Sequence, residues 1–270
     1  MKKFCFSLSL LLALLALEAQ EYRPAIYRAY LHEEMDSWKS VMKRMESQLS
    51  ASSDQTLLYD LLEAEYGYTA WLISVKRKKE AKEQLKKADG YMTRLTALGL
   101  DNARVYSLKG AFYGFRIMLE PHKAPSLGRS ALEANEKAMK LDPEEPQVWL
   151  EKANMDYYRP AIFGGSKKKA VPMYEKAVEL FESLPGRTQE NWVYMNCLTG
   201  LGIAYEETGK SAEAGRVYRK ILAMEPSFKW VKEELYPRFR EKHPEKSDRP
   251  RRPAVSKARK EPGSWRVSFR

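Results

Sequence analysis

Residues 201–226, LGIAYEETGKSAEAGRVYRKILAMEP, set the strongest constraint on what this chain can fold into. Gly202 and Ala214 stand 12 residues apart, each small within an apolar helical pattern that includes Leu201, Tyr205 and Tyr218. Small residues at that spacing let two antiparallel helices approach closely, while the larger ones fill the space beside them. Thr208-Gly209-Lys210 breaks the first helix and Pro226 stops the second. Such a pair cannot bury its apolar face alone, so it predicts neighbours of the same kind stacked against it.

Those neighbours can be tracked by the two small-residue slots. The first helix of each unit offers Thr69, Gly110, Ala153 and Gly202; the second offers Ala81, Ala131, Ala170 and Ala214. The spacings within the units are 12, 21, 17 and 12 residues. Four helix–turn–helix units are therefore expected over 55–97, 103–142, 145–184 and 190–225, the middle two with enlarged internal turns. Leu141-Asp142-Pro143 closes the second unit much as Pro226 closes the fourth. In the first unit Tyr68, Leu72, Leu85 and Ala88 fit the frame, and Asp54 is the expected N-cap.

The order Leu201-Gly202-x-x-Tyr205, Ala214-x-x-x-Tyr218, Pro226 resembles the tetratricopeptide repeat (TPR), with Tyr218 in the usual Phe slot and Leu198 in the usual Trp slot. Tyr106-x-x-Lys109-Gly110 and Trp149-x-x-Lys152-Ala153 echo the same opening. The resemblance implies an all-α fold: a right-handed α-solenoid of about four TPR-like helix–turn–helix repeats with flanking capping helices. It also implies binding of a protein or peptide partner and no intrinsic catalysis. Repeats that clamp a peptide carboxylate use Lys-x-x-x-Asn; here Leu150-x-x-x-Asn154 lacks the lysine, so that mode is not expected. By the same spacing, inner-face positions fall on Arg104, Ser107, Ala111, Gly114 and Phe115, and on Gln147, Leu150, Asn154, Tyr157 and Tyr158.

The flanks read differently. Lys2-Lys3 followed by FCFSLSLLLALLAL makes 1–20 a secretory signal peptide, too short to span a bilayer and with no cysteine after it to accept lipid. The expected protein is exported, periplasmic or extracellular, with no transmembrane segment in the mature chain. Residues 22–54 carry Ile26, Tyr30, Met35, Trp38, Met42, Met45 and Leu49 at helical spacing, predicting flanking helices that cap the first unit. The repeats fill 55–226, a capping helix 227–240, and a basic, disordered tail 241–270. Of the net charge of +11, that tail holds +6, so the body is only mildly basic and nucleic acid is not an expected partner. Cys197 alone would remain after export and cannot form an internal disulfide.

No metal-ligand spacing, nucleophile elbow or nucleotide loop occurs, so neither a metal, a cofactor nor an enzyme activity is expected. The run Phe163-Gly164-Gly165-Ser166-Lys167-Lys168-Lys169 joins a permissive backbone to a capped helix start and a lysine cluster. The two enlarged turns, 120–129 and 159–167, should lie side by side on one edge of the solenoid. On them and the inner face beside them the candidate binding residues are His122, Lys123, Arg129, Arg159 and Lys167 as donors, Phe115, Tyr157, Tyr158 and Phe163 as apolar walls, and Asn154 as a polar contact. The leading functional expectation is an exported adaptor or scaffold in the cell envelope; the alternative is a binder of a small anionic ligand or glycan through these turns.

Overall fold

The computed structural model describes residues 22–50, 52–100 and 102–244. The expected signal peptide over 1–20 and nearly all of the expected basic tail lie outside them. Among the described residues the fold is entirely helical. Two helices come first, α1 over 22–32 and α2 over Met35–Ser50. Four antiparallel pairs follow: α3 (Gln55–Ser74) with α4 (Lys78–Ala97), α5 (Ala103–Leu119) with α6 (Ala124–Leu141), α7 (Pro146–Tyr158) with α8 (Lys167–Ser183), and α9 (Trp192–Glu207) with α10 (Ser211–Met224).

The slots that defined the units are the places where paired helices meet. Thr69, Ala81, Ala153, Ala170 and Ala214 are fully buried, and Gly110, Ala131 and Gly202 are also in the core. The starts of the first helices are capped as their sequences dictate. Asp54 accepts from the Thr56 and Leu57 amides, Asn102 from Val105, and Asn191 from Val193 and Tyr194. After α10, a π-helical turn Val231–Leu235 runs into α11 (Tyr236–Lys242). Pro237 cannot donate to the carbonyl four residues back, and the wider register accommodates it. Phe239 of α11 stacks edge-on against Tyr218 of α10, covering the last unit.

The N-terminal helices do more than cap the first unit. α2 packs on α3, but α1 reaches across to the last unit. The Arg23 guanidinium donates twice to Asp60 of α3, at 2.7 and 2.9 Å, while the Tyr27 hydroxyl donates to Glu225 beyond α10 at 2.7 Å. The Tyr30 ring contacts Trp38 of α2, Trp192 of α9 and Phe228 after α10. Tyr22, Ile26, Tyr27, Ala29 and Leu31 are buried in consequence. Gly67 makes the junction possible: a Cβ there would lie 2.7 Å from both the Trp192 and the Trp38 indoles. One hydrophobic cluster runs from α1 through all four units to α11.

Candidate functional site

The inner faces of units two and three, where TPR-type folds usually receive a peptide, are filled by the chain itself. Ser107, Gln147 and Leu150 are buried, and the Phe115 ring stacks on Tyr66 at 5.4 Å, 13° from parallel. Asn154 is committed too. Its amide donates to the Tyr66 hydroxyl at 3.3 Å and to Glu151 at 3.2 Å, and its oxygen accepts from the Tyr174 hydroxyl at 2.6 Å. Phe115 and Asn154 are thus internal contacts. The candidate residues and a charged cleft lie at the two edges of the solenoid, apart from an open hollow of about 630 Å³ between α4 and α5 lined by Asp89, Met92, Val105 and Tyr106.

The first edge carries the turns within units. The sequence predicts one long turn over 120–129, but α6 begins at Ala124 and only Glu120–Lys123 lie outside α-helix, Pro121–Lys123 as a 3₁₀ turn. Pro125 falls in the first turn of α6, where a missing N–H removes no helical bond. The segment between Tyr158 and Lys167 is a true loop, with a 3₁₀ turn at Ala161–Phe163. It is held from within. Arg159 donates to Asp156 at 2.6 Å and to the Gly164 carbonyl at 3.3 Å, and the Ser166 amide donates to the Asp156 carbonyl at 2.7 Å. Gly164 sits at φ +88°, and a Cβ on Gly165 would lie 1.7 Å from the Arg159 carbonyl oxygen. The result is a well-determined loop that holds Ile162 and Phe163 out in solvent, 85% and 63% exposed, beside Tyr158 at 66%.

The cations expected here divide into two groups. Lys123 pairs with Glu120 at 2.9 Å, Arg159 with Asp156, and Lys167 with Glu207 at 2.8 Å, while the Tyr157 hydroxyl also donates to Glu207. His122 and Arg129 belong to the second group, without such a carboxylate; both are exposed, His122 in the 3₁₀ turn and Arg129 on α6. No hydrogen bond or ion pair among the described residues joins the turn of unit two to that of unit three. Lys168 and Lys169, from the same glycine–lysine run as Lys167, are exposed and pair with no carboxylate among the described residues.

The second edge carries the turns between units and holds none of the candidate residues named from the sequence. Here α1, α3, α5, α7 and α9 surround a cleft of about 80 Å³. Arg23, Arg104 and Arg187 alternate around it with Asp60, Glu63, Glu145 and Glu190. Arg187 donates to Glu145 at 2.9 Å, and Arg104 reaches Glu63 at 3.4 Å with its guanidinium 3.9 Å from the centre of the Tyr59 ring. Burial raises the Glu63 carboxyl above its ordinary range, against the pull of Arg104. Gln147 accepts from the Tyr59 hydroxyl at 3.1 Å. Its Nε2 and the Arg104 Nε are buried without a hydrogen-bond partner. The sequence signal for this cleft is partial: Arg104 and Gln147 fall at inner-face spacing, but Arg23, Asp60, Arg187 and Glu190 are brought beside them only by the fold.

The helical pairs, their small-residue seams and their order define a TPR-like α-solenoid. Among solved structures, the chain is similar to the HusA haemophore from Porphyromonas gingivalis, at 20% identity and a TM-score of 0.55, over 69% of this chain and 94% of that one. It is also similar to a thermophilic TPR protein from Thermus thermophilus, at 18% identity and a TM-score of 0.49, over 82% of this chain and 96% of that one. The likeness to the first is one of fold. No protein-family model matches the chain, and no curated protein matches it. Among the described residues no group of His, Cys, Asp and Glu could hold a metal ion, and no helix is long and apolar enough to cross a membrane.

Two carboxyls inside the solenoid respond to pH. Burial pushes Glu151 up to about 7 and Glu65, on α3, up to about 8. For Glu65, burial outweighs the opposing Lys87 charge, and the Glu46 carboxylate adds to the rise. The Gln84 amide can turn its NH₂ to both Glu65 oxygens at 3.1 Å when the group is ionised, or its oxygen to a protonated Glu65. The folded state therefore holds this proton more tightly than the unfolded chain, whose carboxyl titrates near 4.5. The stability this one group contributes is fully present below that value and is lost as pH rises towards 8, by up to about 1.4 kcal/mol per pH unit. Glu65→Gln should leave the urea midpoint nearly unchanged at pH 5 and raise it above wild type at pH 8. A difference between the two proteins that does not vary with pH would contradict this assignment.

Proposed function

We propose that the protein is an exported scaffold of the cell envelope that holds a segment of a protein partner in the charged cleft at its between-unit edge. The observation that carries this reading is the mixed rim of the cleft, Arg23, Arg104 and Arg187 among Asp60, Glu63, Glu145 and Glu190, where the buried Arg104 Nε makes no hydrogen bond and reaches only Glu145, at 3.9 Å. A peptide backbone offers carbonyl acceptors to such donors and amide donors to such carboxylates, so one polar segment satisfies both. The filled inner groove supports the same reading, because α1 and the residues of units two and three already occupy the surface such folds usually present. Export rests on the character of residues 1–20.

The test is a photo-crosslinking residue placed at Gln189, exposed on the rim of the cleft, in protein expressed in its native cell. A discrete polypeptide adduct is expected from this position in the envelope fraction, and none from Leu132, which is 41% exposed on α6. No adduct at Gln189, or equal adducts at both positions, would overturn the reading.

A second reading, a small anionic ligand held at the within-unit edge, is favoured by one observation. Tyr158, Ile162 and Phe163 form an exposed apolar group directly before three lysines, a setting for a flat apolar anion. The likeness to a haemophore supplies a defined probe. On titration with haem, a saturable change in visible absorbance that weakens in Tyr158→Ala and Phe163→Ala is expected from this reading. A change that never saturates, or that both variants reproduce, would contradict it.

A further inference from the structure

The within-unit edge combines three features: exposed apolar side chains, a loop locked from within, and lysines without carboxylate partners. Four large apolar side chains among the described residues are more than half exposed: Met118 at 53%, Tyr158 at 66%, Phe163 at 63% and Ile162 at 85%. All four belong to the turns within units two and three or to the helix ends that enter them. A monomer gains nothing from holding Ile162 and Phe163 in water on a loop locked by Arg159, Asp156 and two glycines. Such pre-ordering favours a contact, because the loop loses little freedom on docking.

The cations around this apolar group that lack a carboxylate partner are mostly lysines, whereas Arg77 and Arg159 are tied to Glu80 and Asp156. Lys76, Lys78 and Lys79 stand at the turn of unit one, and Lys168 and Lys169 at the start of α8; none pairs with a carboxylate among the described residues. The segments 75–82 and 156–169 together hold nine Lys and Arg against two Asp and Glu. On the opposite edge, 140–147 and 182–192 hold five Asp and Glu against two Lys and Arg. The body of the protein is therefore electrically polarised from edge to edge, although Glu206, Glu207 and Glu213 make the turn of unit four an acidic exception.

We propose that the within-unit edge of units one to three docks on an anionic lipid bilayer. Ile162 and Phe163 enter the boundary between headgroups and acyl chains, and the flanking lysines meet the lipid phosphates. This rests on the second reading above, that the edge is an anion-facing contact surface, and it names the source of the anion. A bilayer fits better than a protein partner on chemical grounds. Lysine is depleted and arginine enriched at protein interfaces, whereas mobile lysine point charges suit phosphates that have no fixed geometry. A protruding apolar tip flanked by unpaired cations is the arrangement that lets a soluble body enter the interface without spanning it. Docking in this pose would leave the cleft of the opposite edge facing away from the membrane.

The test is co-sedimentation of the purified protein with vesicles of equimolar phosphatidylglycerol and phosphatidylcholine, compared with vesicles of phosphatidylcholine alone. Binding to the anionic vesicles is expected, at least about tenfold tighter than to the neutral ones. It should be lost on raising salt from about 0.05 to about 0.5 M. Ile162→Asp with Phe163→Asp, and separately Lys168→Glu with Lys169→Glu, should each weaken binding by about tenfold or more without lowering the melting temperature. Leu141→Asp, on the opposite edge and 47% exposed, should change nothing. Free glycerol phosphate should not compete at millimolar concentration. No binding, equal binding to both vesicles, or binding that both double variants retain would overturn the proposal. Absent vesicle binding together with a saturable haem titration that Tyr158→Ala and Phe163→Ala weaken would leave the second reading standing and remove only this inference.

Discussion

Everything in this solenoid depends on the packing of Trp192 against Trp38 over Gly67. The two indoles meet edge-on with their centroids 5.1 Å apart, and Tyr30 and Phe228 close around them. The first helices of the chain thereby touch the last unit, which an open stack of helix pairs would not allow. In an open solenoid each unit is stabilised only by its neighbours. Here the first and last units also stabilise each other through α1. Truncating an aromatic residue in such a core costs about 3–5 kcal/mol, a large part of the stability of a domain this size. Most of the junction is apolar, but it is oriented by polar ties at both ends, Arg23 to Asp60 and Tyr27 to Glu225.

Closing the groove changes where function can reside. Side chains that would line an open inner face instead hydrogen-bond to one another, as Asn154, Tyr66, Glu151 and Tyr174 do. Attention shifts to the two edges, and they differ in chemistry as well as in position. One is concave, mixed in charge and holds buried donors; the other protrudes, is apolar at its tip and is ringed by lysines. A scaffold with this division can meet an anionic surface with one edge while offering the other to a polypeptide.

The repeat frame is legible because a small residue at a helix crossing has a simple spacing signature that survives large changes elsewhere. The slots from Thr69 to Ala214 therefore locate the pairs, and the caps at Asp54 and Ser166 locate helix starts. The path of α1 is not legible. Its apolar positions at Ile26 and Tyr30 suit any buried helix, and the partners that decide its place, Trp192 and Phe228, lie more than 160 residues away. Proline misleads locally: Pro121 and Pro125 suggest a long turn, whereas Pro125 is admitted by the first turn of α6. Among the candidate site residues, Tyr158 and Phe163 are exposed, while Lys123, Arg159 and Lys167 each acquire a carboxylate partner. Lys123–Glu120 and Arg159–Asp156 are pairs three residues apart that spacing could foresee, but Lys167–Glu207 is not, because Glu207 reaches in from the following unit.

The central claim is that α1 belongs to the core, and native-state hydrogen exchange tests it directly. The amides of residues 26–32 should exchange as slowly as those in the middle of α9, since both report the same closed junction. Rapid exchange throughout α1 with α9 still protected would show that the groove is open in solution and would contradict the account.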